Sequence, residues 1–446
     1  MNNNTVTNQK LNNLIEFRQR FYNCLNQAKD AQFQLVDALL SDMRVDSFAE
    51  LSLAPAFERK WSSAYDAVEN GKQQLESLQQ LFCEQLPTDE PVVCPLDTTV
   101  WPHPQAKTLE DLVFEISPTK AARRQTAVIG HIYSILGWSP QRGSSWCLGL
   151  ANERMGLDTT AVELGVNQVK QLIQRRQSAG TEKLIVVPAD GKYGTHHFLG
   201  PLRQENQLAI VTRLRRDRVL YGAPPTYSGQ GRPHKHGDRF AFKEETTWPD
   251  PEQDISFIDS RWGQVRVRGW SGLHMRQDPD TPFTAIYVEV RLERDKRPKP
   301  IWLAYLGPEN HTIREAWLWF DHRWPIEPSI RFRKQHLHWT LPNLQTSDRC
   351  DRWCWLVEAA FWQLYLAQKL IRDEPLPWQK PLTTLTPART LRGMSRLFRK
   401  IGTPTKSVQT RQNATGWPVG KKRTRPERFK PTRRDKKRDK QLATSA

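Results

Sequence analysis

Lys183-Leu-Ile-Val-Val-Pro-Ala-Asp190-Gly-Lys-Tyr-Gly194 holds an apolar run too short for a helix, closed by an acid and a glycine turn. Such a run reads as a short buried strand ending on Asp190. Upstream, residues 159–178 are helical in pattern, and before them three short apolar runs, at 92–96, 126–136 and 145–150, read as consecutive strands. Strands, then a helix, then a strand make an α/β core with mixed sheet topology.

Val92-Val-Cys-Pro-Leu96 leads into Asp97 much as the later run leads into Asp190, and small or turn residues follow each acid. Both carboxylates are therefore expected at the C-terminal ends of strands, where α/β sheets bind ligands. Hard divalent cations take carboxylate oxygens, and two such ions held about 3.5–4 Å apart serve phosphoryl transfer. Aspartates at strand ends are common, so a third ligand has to decide the matter.

Past a strand-like run at 208–212 comes a loop rich in Gly and Pro (222–237), then alternating stretches at 264–270 and 284–292. Residues 223–305 read as a β-rich insertion, because the segments on either side, 91–222 and 306–375, read as parts of one α/β domain. Helical patterning resumes at Ile313, and residues 353–371 form a strongly apolar helix expected to pack on the sheet. Residues 1–90 read as helical: Leu14, Phe17, Phe21 and Leu25 form one stripe, and Phe57, Trp61, Tyr65 and Val68 a second.

The deciding stretch is Phe320-Asp-His-Arg323-Trp-Pro-Ile-Glu327-Pro-Ser-Ile-Arg-Phe-Arg-Lys334. Residues 323, 327, 330 and 334 are three or four apart and share one helical face, so two cations flank a carboxylate. Pro325 suits a first turn, while Pro328 moves the helix start close to Glu327 and leaves Arg323 just outside it. The stretch resembles the signature Tyr-x2-Arg-x3-Glu-x6-Lys of bacterial insertion-sequence DDE transposases, with Phe320 in place of Tyr. Leu96-Asp97-Thr-Thr and Ala189-Asp190-Gly-Lys-Tyr look like that family's two Asp motifs, and the resemblance spans about residues 90–370.

The resemblance implies a ribonuclease H-like core with a β-rich insertion, in which Asp97, Asp190 and Glu327 are catalytic and hold two Mg²⁺ ions, with Mn²⁺ able to substitute. It implies that Arg323 and Lys334 contact DNA backbone near the scissile phosphate, with the ring of Phe320 beside them but lacking the hydroxyl's phosphate bond. It also implies that residues 1–90 bind DNA, that the substrates are terminal inverted repeats and target double-stranded DNA, and that a homodimer joins two ends. Two rival readings are a nuclease of the same fold without strand transfer, and a non-catalytic DNA-binding protein descended from a transposase.

Charge points to the same class of partner. The 446 residues carry 66 Lys+Arg against 48 Asp+Glu, a formal +18. From Leu391 onward 18 Lys/Arg face three acids, so most of that charge lies within the basic C-terminal region 376–446. Residues 421–440 cannot bury a core and read as a disordered basic arm, with Lys421, Lys422, Arg423, Arg433 and Arg434 set to bind phosphate. The start lacks an apolar signal segment and no stretch is long enough for a membrane helix, so a cytoplasmic, nucleoid-associated bacterial protein without membrane contact is expected.

Six scattered cysteines read as small core residues. His336, His338, Cys350 and Cys354 make a candidate zinc set, although Cys-x3-Cys on a helix is ordinarily one buried face. Trp262, Trp270 and Trp302 offer flat faces for an unpaired base, against the ordinary role of core packing.

Overall fold

The computed structural model describes residues 3–116, 127–227, 229, 231–291, 300–408 and 427–432. The chain starts with α1 (Asn3–Asn23), α2 (Lys29–Leu39), α3 (Trp61–Glu69) and α4 (Leu75–Cys83). The first expected stripe is buried, with Phe17 stacked on Phe82 and Phe21 tilted on Phe33. The second is interrupted: Trp61 opens α3 and stays 62% exposed, its ring edge-on to Tyr65.

Then follow β1 (Val92–Val93), β2 (Leu96–Pro102), β3 (Val113–Ile116), β4 (Ala127–Trp138), β5 (Leu148–Arg154), α5 (Ala161–Ser178), β6 (Ile185–Ala189), the single turn α6 (His196–Leu199) and β7 (Leu208–Leu214). A capping box starts α5, with Thr160 Oγ1 accepting from the Glu163 N–H and Glu163 accepting from the Thr160 N–H. β4 runs antiparallel to β2, β3 and β5, while β6 runs parallel to β1, β2 and β7.

The run that decided the sequence reading is apolar without alternation because both faces of β6 are covered. Ile185 and Val187 belong to the large core shared with α1, α4 and α9, and Val186 to a second core on the opposite face.

The next strands are β8 (Val219–Tyr221), β9 (Arg239–Ala241), β10 (Gln253–Asp259), β11 (Gly263–Met275), β12 (Asp278–Arg291) and β13 (Ile301–Leu306). β13 lies antiparallel to β7, so β11 and β12 continue the same sheet beyond it. Trp270 and Trp302 are buried against Phe240 and Trp248, and Phe242 stacks on Trp302 at 3.9 Å between centroids. Their faces are taken up by protein, which corrects the base-stacking option for these two.

Four helices complete the described chain: α7 (Ile313–Asp321), α8 (Ile326–Gln335), α9 (Ser347–Ala367) and α10 (Pro387–Ile401). α7 covers one face of the sheet with Ile313, Ala316 and Trp317. α9, the apolar helix expected from the sequence, packs Trp362 on Phe82 of α4 and on Trp138 of β4. Arg18 of α1 ties the N-terminal helices to it, donating to Asp37 at 2.6 Å and to Gln363 at 2.5 Å from a fully buried position.

All six cysteines are free and buried. The zinc set drawn from sequence does not assemble: Cys354 Sγ accepts from Trp339 Nε1 at 2.9 Å, His338 Nε2 bonds to the Met43 carbonyl, and His336 stacks on Phe332. Lys421, Lys422, Arg423, Arg433 and Arg434 lie outside the described residues. Part of the expected free arm is nevertheless docked, because Phe429 N–H donates to Lys107 O at 2.8 Å and Thr432 N–H to Leu112 O at 3.0 Å along the β3 edge. Unpaired backbone groups at a sheet edge favour such an added strand over free solution.

Candidate active site

The parallel register of β2 with β6 pairs Leu96 with Ala189. The next residue on each strand is Asp97 and Asp190, so one backbone pairing brings two carboxylates side by side. Asp190 ends β6 as expected. Asp97 does not end a strand: Pro95 interrupts the line after β1, and Asp97 is the second residue of β2, which runs on to Pro102. Asp97 is paired with Ile135 of β4 on one side, next to the Leu96–Ala189 pairing on the other.

Both acids are fixed locally. Asp97 Oδ1 accepts the Thr98 N–H at 2.7 Å, and Asp190 Oδ1 accepts the Lys192 N–H at 2.9 Å. Lys192 Nζ then crosses between strands to Thr98 Oγ1 at 2.7 Å. Burial, and next the neighbouring Asp190, push the Asp97 carboxyl up to about 6, against the lowering pull of Arg323.

The third acid arrives from α8. Its first turn follows Pro325 and contains Glu327, whose charge suits a helix N-terminus. Arg323 lies between α7 and α8, as Pro325 and Pro328 led us to expect, yet its guanidinium reaches both sides: Nη1 is 3.6 Å from Asp97 Oδ2 and Nη2 donates to Glu327 Oε1 at 3.1 Å. Phe320 is half-buried on α7, with that guanidinium 5.9 Å from its ring centroid.

Lys334 lies two turns along α8 from Glu327. Its Nζ donates to Thr99 Oγ1 and to the Val100 carbonyl, both at 2.7 Å, and burial pushes its pKa down to about 8. Asp97, Asp190, Glu327, Arg323 and Lys334 are thus gathered around the start of β2.

Two supporting networks escaped sequence reasoning. Behind α8, Arg333 and Glu358 form a fully buried pair, and Glu358 also accepts from Gly149 N–H and Asn152 Nδ2. Gly149 makes room for this carboxylate: a Cβ there would stand 2.6 Å from it and push Glu358 off its partners. Beside Arg323, Asp321 accepts from Arg142, Arg261 and Trp262 at 2.7, 2.9 and 2.8 Å, and Arg142 also pairs with Asp259 at 2.6 Å. This clasp fixes the end of α7 and gives Trp262 a polar anchoring role. Asp259 and Asp321 end their strand and helix, and Arg142 and Arg261 lie in loops, so no periodic signal in the sequence pointed to the clasp.

Residues 20–275, more than half of the chain and including Asp97 and Asp190, match the family described as DDE superfamily endonuclease. The chain belongs to the DDE superfamily of endonucleases. No curated protein matches it. Endonucleases of this superfamily act on DNA and use divalent metal ions. The match ends before α7, so Glu327, Arg323 and Lys334 lie outside the matched residues and join the two aspartates on geometry alone. The donor set fits a hard cation: carboxylate oxygens from β2, from the end of β6 and from α8, with the Asp97 carboxyl pushed up to about 6 by its burial and then by the Asp190 charge, a repulsion that a cation between them would relieve. Among the described residues of this endonuclease, no helix is long and apolar enough to cross a membrane.

Proposed function

We propose that the chain is an insertion-sequence transposase of the Tyr-Arg-Glu-Lys group, with Phe320 in the Tyr position and a ribonuclease H-like core. The observation that carries the reading is the convergence of Asp97, Asp190 and Glu327, with Arg323 touching the first and third. The sheet order β5-β4-β2-β6-β7, antiparallel on one side of β2 and parallel on the other with α5 leading into β6, supports the core assignment. In this reading residues 1–90 bind DNA, 91–222 and 306–375 form the core, 223–305 are its insertion, and 376–446 add a basic region.

Asp97, Asp190 and Glu327 would hold two Mg²⁺ ions, or Mn²⁺ in their place. Such ions, when bound, activate a water or 3′-OH oxygen and stabilise the leaving oxygen of an in-line displacement. Arg323 neutralises the acids and is placed to meet a DNA phosphate. Lys334 fixes α8 to β2 and keeps one ammonium proton for the backbone. Thr98 and Lys192 hold the two aspartates in register. The chain would bind terminal inverted repeats, hydrolyse a phosphodiester and join the freed 3′-OH to target DNA, as a homodimer when two ends are paired.

The test first looks for inverted repeats in the DNA flanking the gene, then combines cleavage, joining and gel-shift assays on oligonucleotides bearing them. Asp97→Ala, Asp190→Ala and Glu327→Ala should each abolish cleavage and keep binding, since each removes a metal ligand and little phosphate contact. An active Glu327→Ala protein would sink the assignment. Cleavage without joined product would leave a nuclease.

A further inference from the structure

Three buried side chains from separate parts of the chain meet well away from the acids. His103 follows β2, His131 lies on β4 and Cys350 on α9, and their ligand-capable atoms all lie within 4.8 Å of one another. They are 5%, 1% and 0% exposed. His103 is six residue steps along extended chain from Asp97, on the order of 20 Å at about 3.3 Å per step. The cluster is therefore distinct from the carboxylate site.

The hydrogen bonding leaves one nitrogen on each ring unused. His131 Nε2 is 2.7 Å from the Glu110 carbonyl, which can only accept, so the ring's proton is on Nε2 and Nδ1 keeps a bare lone pair. That Nδ1 is buried without a hydrogen-bond partner, and so is His103 Nε2. Burial, with the neighbouring His131 as the second cause, pushes the His103 imidazole down to about 3, and burial pushes that of His131 down to about 4. Both rings are neutral, the form that ligates metal. A backbone carbonyl on the far nitrogen is the partner that orients a metal-bound histidine.

We propose that His103 Nε2, His131 Nδ1 and Cys350 Sγ bind one Zn²⁺ ion, which fastens α9 to the paired strands β2 and β4. Zinc is the borderline-soft cation that accepts imidazole and thiolate together, whereas Mg²⁺ prefers the oxygen set around Asp97. As the zinc–sulfur bond forms, the Cys350 S–H proton passes to solvent. The zinc signal that the sequence suggested around Cys350 belongs to a different pair of histidines, brought to it by the packing of α9.

The test uses the full-length protein, purified without metal-affinity resin. Elemental analysis should find one zinc per chain in the wild type and in Cys354→Ser, and none in Cys350→Ser or His131→Gln. After chelation, added Co²⁺ should produce a thiolate-to-cobalt charge-transfer band in the wild type and in Cys354→Ser that Cys350→Ser lacks. Oxygen ligands give no such band, so metal on Asp97, Asp190 and Glu327 does not contribute. A Cys350→Ser protein that melts cooperatively and keeps its zinc would overturn the proposal. Should that variant not fold, absence of the cobalt band from the wild type and Cys354→Ser would overturn it equally.

Discussion

Arg323 Nη1 lies 3.6 Å from Asp97 Oδ2, so a residue between two late helices offsets the charge of an acid in an early strand. Its other nitrogen holds Glu327. Arg323→Ala removes the opposing charge that keeps the Asp97 carboxyl from rising above about 6. Cleavage should fall on the order of 10²-fold, as for loss of one preorganised donor. The acid limb of the pH–rate profile should move to higher pH. An unchanged limb would mean that Arg323 does not sense Asp97 in the active enzyme.

Asp97→Asn should separate stability from activity. The folded value of about 6 lies above the ordinary 3.8, so the stability attached to this group is full below 3.8 and lost as pH rises through about 6. Metal-free Asp97→Asn should therefore melt higher than wild type at pH 8, by an upper bound of about 3 kcal/mol, and equally at pH 3.5. Added Mg²⁺ should narrow the gap at pH 8 by stabilising wild type alone. Thermal melts at the two pH values check this.

Glu358→Gln leaves the Arg333 charge buried and half-partnered. Removing one member of a buried pair costs roughly 3–5 kcal/mol. Urea unfolding should register such a loss, whereas Arg333→Met with Glu358→Leu should recover most of it. A small effect of Glu358→Gln would show that Cys147 O and Ser329 O are sufficient partners for the guanidinium.

Truncation after Gly420 removes 12 Lys/Arg. DNA binding should weaken almost equally for all sequences, and the slope of log K against log[salt] should flatten. Because Thr432 bonds beside β3, the truncated protein should also exchange the Phe114 amide faster, Phe114 N–H being bonded to Thr432 O at 3.3 Å. An unchanged salt slope would detach the arm from phosphate binding.

Phe320→Tyr asks whether a DNA phosphate comes within reach of this half-buried ring. Cleavage in Mg²⁺ should rise if the new hydroxyl bonds an anion, an interaction worth about 1.5–3 kcal/mol when well formed. Lower rate at unchanged melting would mean that residues 320–334 are wrongly aligned to the transposase signature.

What the sequence determined by itself was local. The unbroken apolar run before Asp190 specifies a strand covered on both faces, Thr160 and Glu163 start α5, and Pro325 with Pro328 start α8 near Glu327 while leaving Arg323 outside it. Each depends on a few neighbouring residues, because periodicity, capping and proline geometry act within a turn or two. Only the tertiary structure decided the rest. The Leu96–Ala189 pairing sets Asp97 beside Asp190, at the start of β2 and not at a strand's C-terminal end, the docking of α9 gives Arg333 its carboxylate, and the same docking brings Cys350 to His103 and His131. These partners are joined by burial of apolar faces far apart in the chain, a term set by which surfaces fit together once the helices and strands have formed.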